Sequence, residues 1–221
     1  MIGRVVIVGA VAVALAACKA DNVEIRVSTS DIQEALGGDD VTVPFVARFS
    51  MFSDLDEEQK AQLRAIEDIV ERFLVVDDYQ ITSSDYTTDV TIEGELPIVV
   101  GDVGSGEDAF ALYVSPANVE SSLSGFDQRV ELGTGRAFSQ MESQMQGINF
   151  MLAADAVHPV SYRLRNDAGS PVNILAGGVQ IDGDSHAIAA LSLGDGDRTT
   201  MLFSGGPYDQ VMGAFLMSGK E

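Results

Sequence analysis

Apolar and polar residues alternate one by one over several stretches of the chain, which is typical of strands with one buried face. The longest stretch is Tyr86–Val100, where Val90, Ile92 and Ile98 share one side and charged residues occupy the other. Alternation of this kind predicts antiparallel sheets with one solvated face. Further strands are predicted over residues 22–28, 41–51, 79–82, 109–114, 148–154, 160–165, 172–181, 186–193 and 199–204.

One segment follows a helical pattern instead. Apolar residues in Asp54–Leu74 recur at helical spacing, and Ser53 precedes them as an N-cap. This predicts one prominent amphipathic helix over about residues 54–74. Shorter helices are predicted over 31–36 with Ser30 as cap, from Ser115-Pro116 toward Leu132, and over 207–217. Strands with scattered helices indicate an α+β fold, and we predict antiparallel sheets arranged as a β-sandwich.

Asp-Gly turns separate the last predicted strands. Asp182-Gly183-Asp184 and Gly194-Asp195-Gly196-Asp197 contain the residue types of tight hairpins. Their carboxylates also suit Ca²⁺, which takes roughly six to eight oxygen ligands. Because the spacing does not match an EF-hand loop, hairpin turns are the simpler interpretation. Asp182, Asp184, Asp195 and Asp197 are therefore only weak calcium candidates.

The start of the chain differs in composition from the rest. Residues 5–17 carry no charge and follow a short segment that contains Arg4. Such a run is typical of a secretory signal, and it is shorter than the roughly 18 apolar residues of a membrane-spanning helix. It ends in Leu15-Ala16-Ala17-Cys18, which resembles the lipobox of bacterial lipoproteins. The resemblance implies cleavage before Cys18, a diacylglyceryl thioether on its sulfur, and acylation of the new amino group with palmitate or a similar chain.

Organisation and location follow from this resemblance. We expect residues 1–17 to be a signal peptide and residues 18–221 to form a single lipoprotein domain. Cys18 is the chain's only cysteine, so the domain folds without an internal disulfide. Lys19 rather than aspartate follows Cys18. By analogy with the sorting rules of enteric bacteria, this favours the outer membrane, with the domain facing the periplasm.

A second resemblance concerns the mature chain. The lipobox is followed by Val23–Ser28, by Val41-Thr42-Val43-Pro44, by Leu112-Tyr113-Val114-Ser115-Pro116, and by Val160–Arg165 before Asn166-Asp167. In this order of elements the chain resembles a group of small uncharacterised lipoproteins of bacteria and their phages. The resemblance implies an α+β lipoprotein architecture and brings no activity and no site residues.

Composition restricts the chemistry. The chain has 13 Lys+Arg against 34 Asp+Glu, a formal net charge of −21. A nucleic-acid partner is therefore not expected, because few cations are present to neutralise phosphates. No Gly-x-Ser-x-Gly nucleophile elbow occurs, and His158 and His186 lie at the starts of predicted strands. We predict no catalytic residue and no cofactor.

The sequence thus favours a lipid-anchored, non-catalytic binding module of the cell envelope. Its expected partners are the lipid bilayer, through acylated Cys18, and an envelope protein. Two alternatives stay open: a Ca²⁺-dependent binding module that uses the Asp-Gly-Asp turns, and a hydrolase with a dispersed acid/base site. A Cu(I) site of the thioethers Met141, Met145 and Met151 is a weaker option than methionines that fill a core.

Overall fold

The computed structural model describes residues 20–51, 55–84, 86–117, 125–148, 157–204 and 213–218. Within these ranges the chain forms eleven strands and three helices. The strands are β1 (Asn22–Ser28), β2 (Thr42–Met51), β3 (Val75–Ser83), β4 (Thr88–Val100), β5 (Phe110–Pro116), β6 (Gln128–Thr134), β7 (Val160–Arg165), β8 (Val172–Ile181), β9 (Asp184–Leu193), β10 (Arg198–Phe203) and β11 (Ala214–Met217). The helices are α1 (Thr29–Gly37), α2 (Glu57–Phe73) and α3 (Phe138–Ile148).

Nine of the described strands close into a barrel in the order β10-β7-β1-β2-β4-β5-β6-β11-β8, and β8 pairs with β10 to complete the ring. Neighbours in the ring are antiparallel except β1 with β7 and β4 with β5, which are parallel. Outside the ring, β3 pairs with β4 and β9 pairs with β8. The predicted α+β sandwich is therefore wrong: the described chain is mostly β, and its barrel strands form one closed sheet.

The barrel closes through strand pairings that cannot be predicted from the alternation of apolar and polar residues within each strand. An alternating strand buries one face in a sandwich and in a barrel alike. The ring closes where Met201 lies opposite Ile181 and Leu202 lies opposite Gln180. Gly178, with φ +61°, lies between the part of β8 that pairs with β11 and the part that pairs with β10. Glycine adopts a positive φ at little steric cost, so it permits the strand to change partner at this point.

Apolar side chains fill the barrel, and Tyr162 is among the largest of them. Its ring packs edge-on against Phe203 and Phe215, with centroid distances of 5.8 and 5.2 Å. The Tyr162 hydroxyl accepts a hydrogen bond from the Leu132 N–H at 2.8 Å and donates one to the Gly213 carbonyl. Burial raises the pKa of Tyr162 far above its ordinary value, so the hydroxyl stays neutral. It is a polar anchor inside an otherwise apolar core.

Replacing Tyr162 by phenylalanine should lower the free energy of unfolding by about 2 kcal/mol, because the partly buried Leu132 N–H and the buried Gly213 carbonyl lose a partner. Urea unfolding followed by circular dichroism measures this loss. Tyr86→Phe is the matched control, since Tyr86 is 81% exposed; its effect should stay within about 0.5 kcal/mol. Equal effects of the two substitutions would contradict this role of Tyr162.

The helices match their predictions in part. α1 is capped by Ser28 rather than Ser30: its hydroxyl accepts the Asp31 N–H, and the Asp31 carboxylate accepts the Ser28 N–H. α2 confirms the amphipathic helix predicted from Asp54, but it begins at Glu57 because Asp56 is the residue that caps it. α1 packs against β1 and β4, and α2 packs against β3 and α3. None of the described helices combines the length and apolarity needed to cross a membrane.

Two predicted helices are wrong where the structure describes them. The helix predicted from Ser115 toward Leu132 is overlapped by β6 (Gln128–Thr134), and Ala214–Met217, inside the helix predicted over 207–217, forms β11. These two strands pair with each other in antiparallel register. Their conformation is set by this contact between distant segments, which overrides local propensity. The strand predicted over 148–154 lies outside the described residues except for Ile148, which ends α3.

Candidate anion-binding groove

A groove of about 630 Å³ crosses the outer face of the barrel over β1, β7 and β10. Among the described residues, the charged side chains that line it are Glu24, Arg26, Arg163, Arg165, Asp182 and Arg198. We call this surface the arginine groove. It exists because β1 and β7 run parallel and β10 joins the other edge of β7, which brings segments from both ends of the chain together.

Strand register places the arginines in two adjacent rows. In one row Arg26 lies beside Arg163, and in the next row Arg165 lies opposite Arg198. Neighbouring strands are about 4.8 Å apart, and residues two positions apart on β7 are separated by about 6.7 Å. All of these side chains point outward, because Val160, Tyr162 and Leu164 of β7 are the buried alternates. The groove therefore presents two pairs of guanidinium groups on one face.

The first row is neutralised in part by Glu24. This carboxylate lies 3.1 Å from Arg26 Nε and 2.8 Å from Arg163 Nη2, and its side chain is only 8% exposed. Glu24 lies on the outer face of β1, not in the barrel interior. Its low exposure is therefore due to the two arginine side chains that cover it and to the neighbouring strands. A covered carboxylate with two cationic partners holds both guanidinium groups in place through charge-assisted hydrogen bonds.

The second row has no such partner. Within the part of the chain that the structure describes, no carboxylate lies within 4.0 Å of a nitrogen of Arg165 or Arg198. Like charges directly opposite each other across two strands destabilise a sheet. The groove also contrasts with the whole molecule: four of its 13 Lys+Arg lie there, against the two acidic residues Glu24 and Asp182. The charged side chains that line the groove therefore sum to 4 − 2 = +2, on a chain of net −21.

Asp167 lies close to this row but is occupied by other groups. It accepts hydrogen bonds from the Ser30 N–H at 2.9 Å, the Ser30 hydroxyl at 3.0 Å and the Thr29 hydroxyl at 3.1 Å. Partial burial acts to raise the pKa of Asp167, but these bonds and the charge of Arg165 outweigh it and keep the pKa below its ordinary value. Asp167 therefore stays ionised while serving mainly to hold the start of α1.

The calcium candidate Asp182 borders the groove and forms a turn. Asp182 and Gly183, with φ +49° and +99°, are the two central residues of the β8–β9 hairpin, as the Asp-Gly pattern predicted. The Asp182 carboxylate accepts the Thr200 N–H at 3.0 Å, and Asp184 begins β9. This turn is thereby attached to β10 along one side of the groove.

The other two candidates bind backbone amides elsewhere. Asp197 accepts the Gly194 N–H at 2.7 Å, and Asp195 accepts the Gly169 N–H at 3.2 Å. Of the residues that the structure describes, no three His, Cys, Asp or Glu side chains gather so that they could hold a metal ion. Calcium binding at these turns stays a prediction.

The histidines lie apart from the groove. His158 Nδ1 accepts the Ala20 N–H at 3.0 Å, and its ring lies between Phe49 and Phe110. His186 is exposed on β9. Met141 and Met145 are buried in α3 as core residues. Cys18 and Met151 lie outside the described residues.

The sequence contained one indication of the groove, the spacing of two arginines in β7, but the alternating pattern alone did not identify it as a site. Arg163 and Arg165 are two positions apart in a strand whose other residues are apolar or small, so they share its outer face. Arg26 and Arg198 belong to the same surface only because β1 and β10 flank β7. No known protein family matches this chain, and no curated protein is detectably similar to it in sequence.

Replacing Arg198 by glutamine should raise the free energy of unfolding of the unliganded protein by about 0.5 kcal/mol, because it removes a like-charge pair with Arg165. The matched control is Arg64→Gln on the exposed side of α2. Loss of a cation there from a chain of net −21 should leave stability unchanged or slightly lower. Thermal unfolding at low salt measures both. A destabilised Arg198→Gln protein would contradict the inferred repulsion.

Proposed function

We propose that this protein is a lipid-anchored component of the cell envelope that binds an anionic ligand in the arginine groove without transforming it. The observation that carries the binding proposal is the Arg165–Arg198 pair, two adjacent cations with no carboxylate within 4.0 Å among the described residues, on a strongly acidic chain. A pair that costs stability in the free protein is expected where a ligand supplies the missing negative charge.

The groove favours a ligand with two oxyanion groups. Guanidinium groups bind phosphate or carboxylate oxygens in pairs, through parallel N–H donors. The two rows are about 6.7 Å apart along β7, so one ligand with two charged groups can contact both. Glu24 already occupies part of the first row. The second row, Arg165 with Arg198, is therefore the stronger position.

The groove's lining supports binding rather than catalysis. Its described lining residues include no histidine, cysteine or lysine. Glu24 is held by two arginines, and Asp182 accepts a backbone N–H of β10. The Thr199 hydroxyl lies 3.5 Å from the Asp182 carboxylate, which is longer than the roughly 3 Å contact between a nucleophile and its general base in hydrolysis.

Calorimetric titration with pyrophosphate and with citrate tests the binding proposal. Both should bind the wild-type protein, and Arg165→Gln/Arg198→Gln should weaken binding about 100-fold, since each charge-assisted contact contributes about 1.5 kcal/mol. Arg64→Gln/Arg72→Gln on α2 removes the same charge outside the groove and should bind like wild type. Equal losses in the two double variants would show unspecific attraction and refute the site.

The anchor proposal rests on the lipobox at Leu15–Cys18 and the uncharged run before it. Several acyl chains on one residue give durable membrane attachment, whereas one chain gives only marginal binding. Metabolic labelling with palmitate should mark the wild-type protein and not Cys18→Ser. Equal labelling of both, or labelling of neither, would refute the anchor. Fractionation of the membranes then tests the proposed outer-membrane location.

A further inference from the structure

The chain is attached to the barrel almost immediately after the proposed anchor. Ala20 is 1% exposed, and its N–H binds His158 Nδ1 at 3.0 Å. The next N–H, that of Asp21, donates to the Arg48 carbonyl at 2.7 Å, and the Val23 N–H donates to the Pro159 carbonyl at 2.8 Å. From Ala20 onward the chain is thus part of the folded body.

Lys19 is the one residue between Ala20 and Cys18. Consecutive Cα atoms are about 3.8 Å apart, so the Cα atoms of Cys18 and Ala20 are separated by at most about 7 Å. A flexible spacer between anchor and domain would need many more residues, because its reach grows with chain length. The anchor and the barrel are therefore coupled by a very short connection.

We infer that the end of the barrel that contains Ala20 rests directly against the lipid headgroups, and that this contact fixes the orientation of the barrel on the membrane. The inference rests on the proposed acylation of Cys18. At this end Arg48 is exposed and lies beside Asn22 on the neighbouring strand, and Lys19 precedes Ala20 in sequence. These cations favour a headgroup surface, while Asp21 and Asp89, which lies opposite Ser50 on β4, oppose them.

The orientation also sets the height of the arginine groove. β1 leads away from Ala20, and Asn22 and Arg26 are separated by about 13 Å along an extended strand. The Arg165–Arg198 row lies beside Ser28, farther along the same direction. The groove therefore lies on the side of the barrel, above the headgroups. The Arg165–Arg198 row is the part of the groove farthest from the membrane. This placement suits the anionic groups of a partner in the aqueous layer rather than phosphates of the anchoring bilayer.

Quenching by lipids with a nitroxide on the headgroup tests this orientation. Acylated Cys18 leaves an introduced cysteine as the one free thiol of the full-length protein, so Ser50→Cys and Asp40→Cys can each carry a fluorophore. Both positions are exposed: Ser50 lies near the end of β2, and Asp40 lies two residues before its start, so that Ser50 is about 26 Å from Thr42 along the strand. In vesicles, quenching at Ser50→Cys should be several-fold stronger than at Asp40→Cys.

Insertion of twelve Gly-Ser residues between Lys19 and Ala20 is the control, because it lengthens the connection without changing a described contact. It should abolish the difference between the two positions. Palmitate labelling of the same samples separates the two proposals. Absent labelling refutes the anchor itself. Normal labelling with equal quenching at the two positions refutes the fixed orientation and leaves the anchor intact.

Discussion

Replacing Asn166 by leucine should lower the free energy of unfolding by about 4 kcal/mol, one of the largest effects of any single substitution in this chain. Asn166 is fully buried. Its side-chain oxygen accepts hydrogen bonds from the Thr29 hydroxyl at 3.0 Å and the Ala168 N–H at 3.1 Å. Its amide nitrogen donates to the carbonyls of Ser170 at 2.9 Å and Leu193 at 2.8 Å.

The size of this effect follows from what leucine leaves behind. Leucine branches at the same side-chain carbon as asparagine but has no polar atom, so four buried or partly buried polar groups each lose a hydrogen bond, at about 1 kcal/mol per bond. The side chain joins the start of α1, the segment after β7 and the end of β9. Asn173→Leu on the exposed face of β8 is the matched control and should change stability by at most about 0.5 kcal/mol. Urea unfolding measures both changes. A loss of unfolding free energy in Asn166→Leu as small as that of the control would contradict the stabilising role of the Asn166 hydrogen bonds.

Gly94→Ala should destabilise the protein by about 3 kcal/mol, because a Cβ at this position has no space. An ideal Cβ would lie 2.0 Å from the Val75 carbonyl oxygen and 3.1 Å from Phe45 Cε1. The first of these atoms belongs to the backbone of β3, which pairs with β4 at this point. The clash can be relieved only if the start of β3 moves away from β4.

Gly177→Ala is the control for this prediction. Gly177 is also a strand glycine, but an added Cβ would meet the Ala187 carbonyl oxygen at 3.6 Å, an ordinary contact. This substitution should be neutral or slightly stabilising, since alanine restricts the unfolded chain. Thermal unfolding of the two variants decides the matter. Similar melting temperatures would show that β3 is not held as closely as the β3–β4 pairing indicates.

Local patterns were sufficient for single strands but not for their arrangement. β7 and β8 have the ends that alternation predicts, Val160–Arg165 and Val172–Ile181. Alternation reports only that one face is buried, which does not distinguish a sandwich from a barrel. The parallel pairing of β1 with β7 joins residues more than 130 positions apart, from Val23 with Val160 onward. Such contacts leave no trace in a short window of sequence.

The short elements were not predicted from the sequence for a related reason. β11 covers four residues, too few for a period to be recognised, and it takes its conformation from β6 and β8 on either side. The polar, methionine-rich segment that forms α3 gave no prediction at all; burial of Met141 and Met145 stabilises it. Tertiary contacts outweigh local propensity in such segments.

The arginine groove, too, could not be predicted from the sequence, because it depends on the arrangement of the strands. Charge counting treated the 13 cations as few and scattered among 34 acidic residues. The fold gathers Arg26, Arg163, Arg165 and Arg198 on one surface, so a chain that is acidic as a whole carries a cationic site. Net charge describes the average field of a molecule and gives no information about one strand surface.

A thermal melt of wild type and Arg198→Gln, each with and without millimolar pyrophosphate, tests the central claim most directly. A ligand that binds the folded state raises Tm, and the rise depends on its affinity. Without ligand, we expect Arg198→Gln to melt above wild type; with pyrophosphate, Tm of wild type should rise and that of the variant should rise far less. An undiminished rise in Arg198→Gln would contradict an anion site at the Arg165–Arg198 pair.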